Sequence, residues 1–237
     1  MTSFPPSFRP PSRNPSPLPR LCSRGSGEVD PTRFDLRRIH TARDVKELSE
    51  RYDRMAENYD DSLEGEWGWT SPEYTAEVLS RYAMPSARVL DVGAGTGLVA
   101  ECLFRRGFRD LFGLDMAHEM MRQALPKKVY QGLYRAELGH SLPFRSDQFD
   151  AVISVGTMAM GHAPAHCLEE LVRVTRPGGH VAYTLRPVVY SHMGFKDVQD
   201  GLESRGRWKF LEKTLPFAPM PKKEPDFYYE VWVYQVT

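Results

Sequence analysis

The chain has 237 residues, 41% of them hydrophobic, with 31 basic and 31 acidic side chains and a formal net charge of zero. This supplies the core of one ordinary domain, and the charge balance gives no global field for nucleic acid or a membrane surface. No apolar run approaches a membrane span, and Cys22, Cys102 and Cys167 lack the paired spacing of a disulfide framework or structural zinc site. Cys102 and Cys167 fall at apolar-periodic positions and read as small core residues, as expected in a reducing compartment.

In chain order, residues 1–40 begin with a stretch rich in Pro, Ser and Arg and lacking acids before Glu28, which reads as a disordered tail. Its arginines and serines also suit a mitochondrial transit peptide, but the dense prolines oppose the amphipathic helix such a peptide needs. The cytoplasm, extending to the nucleus, is the expected location. Residues 41–84 read as a helical cap. Val45, Leu48, Tyr52, Met55 and Tyr59 lie at steps of three and four, which predicts one helix ending near Gly65. A second helix begins at Ser71 as N-cap, with Pro72 in its first position.

Residues 86–186 alternate strands and helices. "ARVLDVG", "LFGLD", "LYRAEL", "FDAVISVG" and "HVAYTLR" are predicted strands. Between them, "LVAECLFRRG" closes at Gly107, "MAHEMMRQAL" stops before Pro126, and "HCLEELVRVT" ends at "RPGG". Over residues 187–237, "GFKDVQDGLESRG" reads as a helix, and "RWKFLEKTLPFA" with "FYYEVWVYQV" as an antiparallel pair. The expected fold is α/β and Rossmann-like: a doubly wound, seven-stranded, mostly parallel sheet with an antiparallel C-terminal hairpin and helices on both faces.

The first of these strands runs into D-x-G-x-G-x-G at Asp91, Gly93, Gly95 and Gly97. A phosphate-cradling loop would need a Gly-Lys-Ser/Thr ending, which is absent. A dinucleotide turn has its third glycine one position later, where this chain has Leu98. Compact glycines let the backbone approach a nucleoside bearing an amino-acid tail, and Asp91 would meet that tail's ammonium group while repelling a pyrophosphate. Asp115, at the tip of the second strand, is placed to accept both ribose hydroxyls. It also suits a helix N-cap.

On these motifs, residues 51–186 resemble the class I S-adenosylmethionine (SAM)-dependent methyltransferases. "VLDVGAGTG", "LFGLDMA", "AELGHSLPF" with "FDAVISVG", and "LVRVTRPGGHVAYTLR" look like their successive motifs. "RYDRMAENYDD", "VYQGLYRAELG" and "GHAPAHCLEELVRVTRPGG" resemble, more narrowly, the methyltransferase-like protein 27 group. The resemblance implies SAM as cofactor and S-adenosylhomocysteine (SAH) as product. It implies that Gly93, Ala94, Gly95 and Gly97 line the SAM site and that Asp91 lies at the methionine end. Asp115 would take the ribose and Met116 would pack on adenine. Glu137 stands where many members carry an aspartate for the adenine amino group, with the Leu138 amide beside it. Tyr52 and Tyr59 match a helix that resembles a cap over SAM; ordinary packing explains their spacing equally well.

The loop after the fourth predicted strand, "SVGTMAMGHAPAH", is where a methyl acceptor approaches. It lacks both the Pro-Pro-aromatic element of amino-methylating nucleic-acid enzymes and the Pro-Cys of cytosine-C5 enzymes, so nucleic acid is disfavoured as substrate. His162 is the side chain there with a useful pKa and the candidate catalytic base; a loop-packing histidine is the plainer reading. His166 has a weaker claim, and no metal-ligand cluster is apparent. The reading is thus a SAM-dependent methyltransferase acting on a small molecule or, second, a protein, and monomeric by default. The alternatives are a SAM-binding interaction module without turnover and an NAD-dependent oxidoreductase.

Overall fold

The computed structural model describes residues 30–159 and 161–237, so the tail reading lies outside the described residues up to position 29. Pro31–Thr237 form one compact unit. The chain begins with α1 (Leu36–His40) and α2 (Val45–Met55). Asp44 caps α2 by accepting from the Glu47 N–H, while Glu47 reaches back to the Arg43 N–H, so the first turn's donors are satisfied from both sides. After 3₁₀ and π-helical turns come α3 (Ser71–Ser80), β1 (Arg88–Val92), α4 (Leu98–Arg105), β2 (Asp110–Asp115) and α5 (His118–Ala124). There follow β3 (Gly132–Arg135), β4 (Phe149–Ser154), α6 (Cys167–Val174), β5 (Thr175–Leu185), α7 (Pro187–His192), α8 (Phe195–Ser204), β6 (Trp208–Lys213) and β7 (Glu230–Val236).

The seven strands lie in the order β3-β2-β1-β4-β5-β7-β6. The five from β1 to β5 are parallel, and β7 enters antiparallel between β5 and β6. The central strands are buried on both faces, which is why β1 and β4 read as continuous apolar runs rather than alternating ones. One core layer packs α6, α7 and α8 on the sheet through Leu168, Leu171, Phe195 and Trp208; another packs α3 and α4 through Ala76, Leu79, Val99 and Leu103. Strand order reverses between β1 and β4, and in such sheets that reversal opens a crevice at the carboxyl ends of the strands.

Four expectations are corrected. The tail drawn to residue 40 ends sooner: Leu36–His40 are helical, and Phe34 and Ile39 are buried in a cluster with Leu48, Met55, Tyr59 and Leu63. The helix drawn to Gly65 stops at Met55, tightens into a 3₁₀ turn at Ala56–Asn58 and widens into a π-helical turn at Asp61–Trp67. Gly68, with φ +66°, ends it, since only glycine takes that conformation cheaply. Ser71 is the first residue of α3 rather than its cap; Thr70 precedes it and donates instead to the Ala218 carbonyl. "RPGG" does not stand outside the strands: β5 starts at Thr175, with a register shift against β4 between Phe149 and Ala151 that absorbs the extra residues. Finally, α7 has no counterpart in the sequence reading.

Candidate active site

β1 ends at Val92, and the chain turns back over β2. The N–H groups of Gly93 and Ala94 both donate to the Leu114 carbonyl, at 2.8 and 3.0 Å. Gly93 has φ +75°, and a Cβ there would sit 2.0 Å from Thr157 Oγ1, so neither backbone nor space admits a side chain. Asp115 secures the same turn from β2: one carboxylate oxygen accepts from the Gly95 N–H at 2.7 Å, the other from the Ala117 N–H at 2.8 Å. Burial pushes the Asp115 carboxyl up, while these backbone donors pull it down. A carboxylate has about four lone-pair sites, so these backbone bonds do not exhaust its capacity to accept from a ligand.

The turn forms the floor of a cleft of about 1180 Å³, counting its open mouth; ordinary ligand clefts run to roughly 300–1,000 Å³. Gly93, Ala94, Gly95, Asp115, Met116, Glu137 and Leu138 line it from the sheet side. Tyr52, Tyr59 and His162 line it from above, so ten of the twelve residues singled out from the sequence meet there.

Asp91 and Gly97 do not line the cleft. Asp91 lies beneath it, 1% exposed, with one oxygen accepting from the Tyr130 hydroxyl at 2.6 Å and the other, Oδ1, unpartnered. Burial pushes its carboxyl up to about 7, against the Tyr130 hydrogen bond and with some help from the Asp115 charge. Gly97, φ +91°, precedes α4 and faces the Tyr130 ring, where a Cβ would come within 3.2 Å. Both residues meet Tyr130 beneath the turn, Asp91 through the hydrogen bond and Gly97 through its approach to the ring.

The cap is tied to this floor by charge. Asp60 accepts from the Thr96 hydroxyl and, at 2.7 Å, from Lys127 Nζ, which also reaches Glu101 at 2.7 Å. Burial opposes the Lys127 charge, but the two carboxylates outweigh it and raise its pKa. From α2, Asp53 accepts the Glu119 N–H at 2.7 Å, capping α5 from another element.

On the opposite side, the Tyr52 hydroxyl and His162 Nε2 are hydrogen-bonded at 2.9 Å. Tyr52 meets Tyr59 edge to face at 6.1 Å, and Tyr59 meets Trp69 at 6.4 Å. Burial raises the pKa of both tyrosines well above the ordinary phenol value, so they stay protonated at neutral pH. His166 lies away from the cleft lining and bonds to the Gly139 carbonyl at 3.1 Å.

Sequence reasoning missed Phe34, Leu36, Ile39, Thr96 and Tyr229, which line the cleft together with Trp69, Thr157 and Met220. Thr96 stood inside the glycine motif and was legible. The other missed residues come from segments with no motif, brought over the cleft only by tertiary folding. Burial pushes the Cys102 and Cys167 thiols up to about 12, as befits inert core residues.

Comparison with known proteins bears on this geometry. Residues 90–183 match a family model described as a methyltransferase domain. Among solved structures, a putative SAM-dependent methyltransferase from Methanococcus maripaludis superposes with a TM-score of 0.56 at 16% identity, covering 76% of this chain and 92% of that one. A putative methyltransferase of Haloferax volcanii, solved in complex with the Trm112 activator, also has a TM-score of 0.56, at 18% identity over 78% of this chain and 97% of that one. The fold is that of the class I SAM-dependent methyltransferases, and SAM is the cofactor it implies. Human methyltransferase-like protein 27 is 35% identical over 200 residues, 81% of this chain and 80% of its own length. The chain belongs to the methyltransferase-like protein 27 family.

Two features of the site fit this cofactor. Gly93 and Gly95 line the cleft with backbone alone, as close approach of a nucleoside requires. The unpartnered Asp91 Oδ1 is a buried acceptor of the kind an ammonium group satisfies, directly or through water.

Proposed function

We propose that the chain transfers a methyl group from SAM to a small apolar or aromatic acceptor in the cytoplasm. One observation carries this reading: a single cleft joins the glycine turn and Asp115 on the β1–β2 side to an aromatic wall and a histidine on the other. Bound SAM supplies a methyl group activated on a sulfonium. The chain's task is to align the acceptor with it and keep water out. Asp115 accepts from the ribose hydroxyls, Met116 packs on the adenine, and Glu137 with the Leu138 amide meets its polar edge. Asp91 holds the amino-acid tail through its free oxygen.

On the acceptor side, Tyr59, Trp69, Met220 and Tyr229 form an apolar wall suited to a flat or hydrophobic body. Phe34, Leu36 and Ile39 line the cleft from the N-terminal segment and close it over cofactor and acceptor alike, which favours a small molecule over a protein side chain. His162 takes the acceptor's proton. Tyr52, 2.9 Å from Nε2, fixes the ring's orientation.

The test incubates the full chain with methyl-labelled SAM and a fractionated metabolite extract. Label is expected in a small-molecule fraction, and Gly93→Ala, which blocks the turn, abolishes it. SAH binding with no labelled product in any fraction would make the chain a SAM-binding module without turnover.

A further inference from the structure

The β4–β5 half of the cleft borders a positive charge that the methyl-transfer reading leaves unused. β5 ends with Leu185 opposite Glu230 of β7, and the same antiparallel register sets Arg186 opposite Tyr229, a residue of the cleft wall. Arg186 is half-buried, its guanidinium carbon 4.1 Å from the centre of the Phe227 ring. Phe227 in turn meets Tyr229 edge to face at 5.3 Å. Arg51, Arg106 and Arg173, which are also half-buried, each hold a carboxylate within 2.6 Å. Among the described residues, no acid lies within ion-pair distance of the Arg186 guanidinium, and no carbonyl or hydroxyl accepts from it. Burial lowers its pKa, with the more distant Glu224 and Tyr229 opposing that shift.

A guanidinium stays charged at any physiological pH, and a half-buried one gives up hydration that the Phe227 face and more distant charges offset without a hydrogen bond. Its fork of donors matches a carboxylate with two parallel hydrogen bonds. The cleft lining itself holds no lysine or arginine among the described residues. One fixed positive charge is thus available on this side, which balances a carboxylate monoanion and undercompensates a phosphate dianion. In this sheet order β5 lies across β4 from the glycine turn, so the charge stands on the acceptor's side of the strand reversal.

We propose that Arg186 binds a carboxylate on the methyl acceptor, making the acceptor an apolar or aromatic carboxylic acid. This rests on the methyl-transfer reading, and the test separates the two. Phenylacetate, 3-phenylpropionate and indole-3-acetate are titrated into the full chain, each against its own amide, with and without SAH. At least one acid is expected to bind roughly tenfold or more tightly than its amide, the size of a charge-assisted hydrogen bond. Arg186→Gln removes that preference with unchanged SAH affinity, and Arg186→Lys retains part of it. Arg186→Met, which keeps an apolar stem over Phe227, serves as a second neutral variant and loses the preference as well. No preference for the acid in any pair, or a preference that survives both neutral variants, overturns the assignment. Failure of SAH to bind overturns the methyl-transfer reading instead, and the acid–amide comparison without SAH still decides Arg186.

Discussion

At the scale of single residues, His162 and Asp91 carry the most specific consequences. If His162 takes the acceptor's proton, His162→Ala lowers methyl transfer by roughly a hundredfold or more at neutral pH, the usual worth of a positioned base. Tyr52→Phe, which frees Nε2, shifts the pH profile of the rate without that loss. A rate unchanged in His162→Ala across pH removes the histidine from the chemistry. Asp91 makes a prediction about stability. Burial holds its carboxyl at about 7 in the fold, well above the ~3.9 of an unfolded chain, so the native state keeps a proton that the unfolded state gives up. The stability this group contributes is complete below about pH 4 and is lost as pH rises to about 7. Thermal melts of Asp91→Asn should therefore gain on the native chain from pH 4 to 7 and run parallel to it above; a constant difference would show that Asp91 ionises normally. Tyr130, whose hydrogen bond opposes this shift, lies 39 positions away in sequence. That separation is why Asp91 and Gly97 were legible as motif residues while their shared contact with Tyr130 was not.

At the scale of elements, the strands and helices between residues 88 and 186 were legible because each obeys one period and ends at a breaker, as α4 does before Gly107. The cap was not. Its 3₁₀ and π turns change the residues per turn twice within Ala56–Trp67, so no single period describes the face that carries Tyr52, Tyr59 and Leu63. α1 was hidden for another reason. Its five residues are too few to show a period, and they follow a proline-rich stretch whose composition dominates any window drawn across them. Yet Phe34, Leu36 and Ile39 line the cleft. A chain starting at residue 30 should bind SAH as the full chain does, whereas one starting at residue 42 should bind roughly tenfold more weakly, having lost apolar lining worth a few side chains' partial burial. Calorimetry on the two truncations checks this, and equal affinities would mean that the segment covers the cleft without contributing to the ligand.

At the scale of the whole molecule, the sheet places cofactor and acceptor on opposite sides of one strand reversal, and the late antiparallel strand β7 brings Tyr229 and Phe227 to the acceptor's side. The topology was legible from the order of elements together with the alternating pattern of the last strand. The acceptor pocket was legible only in part, because Phe34, Leu36, Ile39 and Tyr229 come from segments that no motif marks and reach the cleft only in the folded chain. Across the described residues, no helix is long and apolar enough to cross a membrane. The central claim is that the cleft beneath the cap is a SAM site, and titration of SAH and NAD into the full chain tests it most directly. The account predicts saturable binding of SAH at a single site, weakened roughly tenfold or more in Asp115→Ala, with no binding of NAD. Tight NAD binding without SAH binding, or SAH affinity untouched by loss of the Asp115 carboxylate, would contradict it.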